Sequence, residues 1–127
     1  MGCTDQGPLG IFDMVDEYAI PQGADWDVAL RYLENGNPVD FSGGTARMQV
    51  RRDHGKNLIL ELSTNAGTIE LGSGTGDTPN VVLHFTASLT NAATEYEGIY
   101  DLEVTSAGNA IYKFVEGKFE LHKAVTV

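Results

Sequence analysis

Apolar and polar residues alternate with a period of two along most of the chain. Trp26, Val28, Leu30 and Tyr32 alternate with Asp25, Asp27, Ala29 and Arg31, and Ala46, Met48 and Val50 with Thr45, Arg47, Gln49 and Arg51. Leu58, Leu60 and Leu62 keep the rhythm and lead into a short run at 68–71. Val81, Leu83 and Phe85, then Tyr100, Leu102 and Val104, repeat it, and a last extended run covers 111–121. Successive strand side chains point to opposite faces, so each run has one face to bury and one to wet. NGNP, FSGG, DHGK, NAG, GSGTGDTPN and SAGNA separate the runs at regular spacing. Short strands with such turns predict an all-β, antiparallel sandwich or barrel of about seven to eight strands. Parallel pairing would need helical crossovers, and the breakers leave no room for them. Residues 87–94, ASLTNAAT, predict a helical turn or two.

Residues 1–18 stand apart from the domain expected over 19–127. Leu9, Ile11, Phe12, Met14, Val15 and Tyr18 are apolar but fit neither the strand nor the helix period. The segment is either an extra strand or an arm that packs on something outside the domain. The strands after residue 24 already supply enough apolar side chains for a core. These six residues are therefore expected to dock on a neighbouring subunit, adding a strand to an open sheet edge or filling an apolar groove.

The stretch YLENGNPVDFSG at 32–43 gathers oxygen-bearing side chains (Glu34, Asn35, Asn37, Asp40) around Gly36 and Pro38. A calcium loop of the EF-hand type needs a bidentate Glu six positions after its glycine, and Ser42 stands there. Asn-Gly tolerates positive φ at both positions and is a strong hairpin signal. The loop reads as a turn.

The bulk numbers narrow the classes. A chain of 127 residues with 42% hydrophobic content is one domain's worth, able to bury roughly two thirds of its unfolded surface. Cys3 is the only cysteine, so no internal disulfide forms. The net charge is −10 with eight Lys and Arg, which argues against nucleic acid and anionic membranes as partners. No run approaches the roughly 18 apolar residues of a membrane span. MGCTDQGPLG lacks the basic and apolar regions of a signal peptide, and Gln6 occupies the Ser/Thr position of a myristoylation motif. The expectation is a soluble, unprocessed product.

Candidate chemistry is sparse. His54, His84 and His122 have no paired-ligand spacing and no cysteine partners; His84 is expected to point outward from a strand. GSGTGDTP at 72–79 lacks the Lys of a phosphate loop and reads as a strand connection. The pairs Asp25 with Asp27 and Glu95 with Glu97 share strand faces and read as solvated. Arg47, Arg51, Arg52 and Lys56 form the one basic cluster, either a solvated face or a salt-bridging contact with an acidic neighbour. Trp26 reads as core. No catalytic residue, metal ligand or cofactor is expected.

GIYDLEV at 98–104 has the spacing Gly-x-Tyr-x-Leu, on Gly98, Tyr100 and Leu102. It resembles the corner of immunoglobulin-like domains, with Leu102 where the disulfide-forming Cys would stand and Tyr100 returning its hydroxyl to a nearby backbone group. IPQGADWDVALRY, ENGNPVDFSGGTARMQVR, LILELSTNAGTIEL and EYEGIYDLEVTSAGNAIYKFVEGKFEL extend the likeness over about residues 19–122. Together they are similar to the N-terminal domain of the phage baseplate upper protein family and to related small Ig-like tail proteins of tailed bacteriophages. The resemblance implies an immunoglobulin-like antiparallel β-sandwich with an N-terminal arm. It also implies a structural virion protein, assembled in the bacterial host cytoplasm and acting through contacts with other virion proteins and copies of itself. Many such proteins continue into a fibre or receptor-binding module where this chain ends at Val127, which favours a connector, baseplate or decoration role. The alternative is a carbohydrate- or receptor-binding module of a tail or adhesin.

Overall fold

The chain is extended where its apolar residues alternate. A computed structural model describes residues 10–53, 57–93 and 95–123. The strands are β1 (Gly10–Ile11), β2 (Ile20–Pro21), β3 (Trp26–Leu30), β4 (Leu33–Glu34), β5 (Asn37–Pro38), β6 (Thr45–Arg51), β7 (Leu58–Ser63), β8 (Ile69–Leu71), β9 (Val81–Phe85), β10 (Glu97–Thr105) and β11 (Ile111–His122). A 3-10 turn at Asp16–Tyr18 separates β1 from β2, and one helix, α1 (Ala87–Asn91), lies between β9 and β10. Thr86 caps α1, its hydroxyl accepting a hydrogen bond from the Leu89 amide at 3.1 Å. The fold is all-β, and no described helix is long and apolar enough to cross a membrane.

The larger sheet runs β1-β11-β10-β6-β7, with β2 also on β11; the smaller runs β3-β9-β8; β4 and β5 form a separate hairpin. Both sheets feed one core. Met48, Val50, Leu62, Leu102, Val104 and Phe119 enter it from the larger sheet, and Val81, Leu83 and Phe85 from the smaller. Phe41 sits fully buried against β11, with its ring centroid 5.1 Å from that of Tyr112 and 5.7 Å from that of Phe114. Its place in the breaker FSGG gave no sign of this.

Three expectations need correcting. The sheets are not wholly antiparallel, because β1 and β2 pair with β11 in parallel. The crossover such pairing requires is supplied by the whole domain between the two strands, not by a local helix. Met14, expected to reach a neighbour, is fully buried in its own core. Trp26 is 47% exposed. Its cross-strand partner is the buried Phe85, so it does lie on the inward face, but it opens β3 at the sheet end, where the described residues cover only about half of it. The period reports which face a residue takes, not whether that end of the face is roofed.

Candidate functional site

Backbone hydrogen bonding places residues 10–22 along β11. The Phe12 amide donates to the Glu116 carbonyl at 3.0 Å, Met14 to Lys118 at 2.8 Å and Gln22 to His122 at 2.9 Å, while Glu120 donates back to Met14 at 2.9 Å. The register holds through Asp13, whose Oδ1 accepts from the Lys118 amide at 2.9 Å. Asp16, in the left-handed region at φ 55, donates its amide to the Glu120 carboxylate at 3.0 Å. Of the two readings of this segment, the extra strand is realised over Gly10–Ile11, continued by a single parallel bridge from Met14 to Phe119, and the chain then turns at Asp16–Tyr18.

The tyrosine at the predicted corner locks this seam. Tyr100 is buried, and its hydroxyl donates to the Phe12 carbonyl at 2.5 Å. The acceptor is a backbone group, as expected, but it lies on the N-terminal segment 88 positions away and not beside the corner. Burial, with smaller contributions from Asp13 and Glu116, raises the phenol pKa far above its ordinary value, so Tyr100 stays a donor. Gly117, opposite Tyr100 on β11, admits the segment: a Cβ there would collide with the Phe12 carbonyl oxygen. A glycine inside a strand is the signal of such close approach. At Gly98 a Cβ would strike the Arg51 carbonyl on β6, and Leu102 is core. Tyr100→Phe is expected to strand the Phe12 carbonyl and cost about 1–3 kcal/mol; a denaturant melt that coincides with wild type would exclude this role for the hydroxyl.

The remaining segment residues divide. Leu9 lies outside the described residues. Ile11 pairs through its backbone with Glu116. Phe12 is partly buried and meets Tyr18 edge-on, their centroids 5.6 Å apart. Val15 is half-buried, and Tyr18 is 58% exposed.

The 32–43 loop is the hairpin its Asn-Gly pair predicts, with Asn35 at φ 52 and Gly36 at φ 80 between β4 and β5. Its oxygens serve its own geometry. Asp40 Oδ1 accepts from the Ser42 amide at 2.9 Å and from its hydroxyl at 2.5 Å, which holds the Asp40 carboxyl below its ordinary pKa. Glu34 accepts from the Tyr32 hydroxyl at 3.2 Å. Among the described residues no group of three His, Cys, Asp or Glu is placed to hold a metal ion.

On the outer face of the smaller sheet, His84 of β9 bridges both flanking strands. Its Nδ1 lies 2.7 Å from Asp27 of β3 and its Nε2 2.6 Å from Glu70 of β8. Only the imidazolium can donate from both nitrogens, and the hydrogen bonds to Asp27 and Glu70 raise its pKa above 6.5. The bridge is therefore fully formed below about pH 6.5 and is lost as pH rises through the higher folded-state value. Both carboxylates are largely exposed, at 64% and 69%, so the expected contribution is about 0.5–1 kcal/mol. The melting temperature is expected to fall slightly from about pH 6 to pH 9 in wild type, and less in His84→Gln; equal slopes would remove the bridge from the account.

Asp25 and Asp27 do not act as a pair, since Asp25 accepts from the Ala87 amide at 2.9 Å. Arg47 lies 3.9 Å from Glu61, and Arg51 donates to Gln49 at 3.2 Å, which draws these two members of the basic cluster into contacts along their own sheet; Arg52 is exposed and Lys56 lies outside the described residues. The 72–79 connection is tied down by Arg31, which donates to the Gly74 and Thr78 carbonyls at 3.2 and 3.1 Å. What the geometry offers is contact surface: the seam on β11, the exposed Trp26 and the open side of β3. Comparison of the sequence with models of known families finds no match, and neither does comparison with curated proteins.

Proposed function

We propose that this chain is a structural protein of a tailed-bacteriophage particle, a tail, baseplate, connector or decoration component. It is built on an immunoglobulin-like sandwich and acts through contacts with other virion proteins and copies of itself. The observation that carries the reading is the strand order. β11-β10-β6-β7 in one sheet and β3-β9-β8 in the other follow the division of an immunoglobulin domain, with β3 as its second strand and β11 as its last. That order agrees with the segments that suggested the family. In the native chain Tyr18, with Phe12 beside it, is what the segment offers a neighbour, since Met14 is already enclosed. The reading assigns no catalytic step and no cofactor, and places the protein in the virion after assembly in the host cytoplasm. Mass spectrometry of purified particles should find its peptides in fixed stoichiometry to the major tail proteins; their absence would sink the proposal.

One observation favours a second reading, a carbohydrate-binding module. Trp26 is exposed and flanked in sequence by Asp25 and Asp27, and stacking an aromatic ring beside polar groups is how proteins hold sugar rings. Trp26 is the only tryptophan, so its fluorescence reports the site directly. Titration with bacterial surface glycans would shift its emission if this reading holds.

A further inference from the structure

Among the described residues the fold covers one sheet edge with its own chain and leaves another bare. Among the described residues β3 pairs with β9 alone. Its other side presents the backbone of Trp26–Leu30, a run with Asp27 as its one charge and with no proline, no lysine and no register shift against β9. Those are the devices by which natural edge strands avoid pairing. The other exposed edges are better guarded: β8 is three residues long, and the β6–β7 ladder shifts register at Val50/Arg51.

We propose that β3 is the self-association edge of this protein, pairing antiparallel with β3 of a second copy about a two-fold axis through Val28. Register selects this occupant. Centred on Val28, Trp26 opposes Leu30 of the other copy, Val28 opposes Val28 and Asp27 opposes Ala29. Trp26, Val28 and Leu30 face the buried Phe85, Leu83 and Val81 within each copy, so the two inward faces join without a break. Centring on Asp27 would set carboxylate against carboxylate, which is destabilising. Centring on Ala29 would need Arg31 and Tyr32. Both lie past the end of β3, and the Arg31 guanidinium is held by the Gly74 and Thr78 carbonyls. The Val28 register alone uses only free strand and opposes no like charges. It also encloses the exposed Trp26 edge against a neighbour, and tryptophan is the residue most enriched among dominant interface contacts.

This inference deepens the assembly reading, yet the two fail separately. A self-pairing chain absent from particles would overturn only the virion role, and a virion protein without this pairing only the edge. Sedimentation equilibrium of the full chain should show a reversible dimer, with Trp26 emission shifting to the blue as concentration rises. Ala29 is exposed, so substitutions there should leave the circular dichroism spectrum unchanged. Ala29→Asp sets a carboxylate against each Asp27, at two symmetric contacts, and should weaken the dimer about tenfold, whereas Ala29→Lys should tighten it. Leu58→Asp, on the β7 edge, should change nothing. A monomer at all concentrations, equal effects of Ala29→Asp and Ala29→Lys, or loss of the dimer in Leu58→Asp would each overturn the proposal.

Discussion

Deletion of residues 1–17 is expected to remove most of the domain's stability. Met14 contributes a fully buried side chain, and truncating a buried methionine to alanine alone costs about 2–5 kcal/mol. Loss of the segment also strands the buried Tyr100 hydroxyl, for about 1–3 kcal/mol more. Domains of this size have roughly 5–15 kcal/mol in total, so the truncated chain should be largely unfolded at 37 °C or melt far below wild type. Met14→Ala isolates the larger share, while Tyr18→Ala, at an exposed position, should stay within about 0.5 kcal/mol. A truncated protein with an unchanged melt would mean that the seam contributes nothing. The alternation after residue 24 suggested a core complete without this segment, and Tyr100 is where that inference fails.

Asn80→Ala is the second large effect expected. Asn80 is fully buried and does the work of a missing strand partner. Its Oδ1 accepts from the Tyr32 amide at 2.6 Å, and its Nδ2 donates to the Val39 carbonyl, so one side chain joins both approaches to the β4–β5 hairpin. Its own amide donates to the Leu30 carbonyl at 3.1 Å. Alanine leaves a backbone donor and an acceptor without partners, each worth about 1–3 kcal/mol, and a loss of about 2–5 kcal/mol in urea melts follows. Asn80→Asp should be comparably damaging, since a carboxylate cannot donate to Val39. A loss under about 0.5 kcal/mol would show that water replaces the amide there.

The β elements were legible because a two-residue period is written directly in side-chain polarity. Asn35-Gly36 announced its hairpin for a similar local reason, as did the short helix at 87–91. What stayed hidden depends on residues brought together from far apart. Asn80 and Phe41 sit in segments rich in turn formers, and their burial depends on partners distant in sequence: Tyr32 and Val39 for Asn80, Tyr112 and Phe114 for Phe41. Trp26 has the inward phase of a core residue, but where a sheet ends is a tertiary property. His84 was expected to face outward and does, yet its two carboxylate partners come from strands 57 and 14 positions away, a distance no local pattern spans. Gly117 was the available clue to the seam: a strand otherwise built of bulky residues gives up a side chain at the one place where another backbone crosses.

The parallel seam also sets an order of events during synthesis. Asp13 and the Lys118 amide it receives are 105 positions apart, so β1 and β2 emerge from the ribosome long before the strand they join. Until β11 follows, Met14 and Phe12 have no place to go, and the nascent chain carries an apolar N-terminal stretch beside the bare edge of β10. Contacts of such separation close slowly, and chains held open in this way are the usual clients of chaperones. The N-terminal strand is made first and docks last, so a ribosome stalled within β11 would release a chain that is nearly complete yet cannot close.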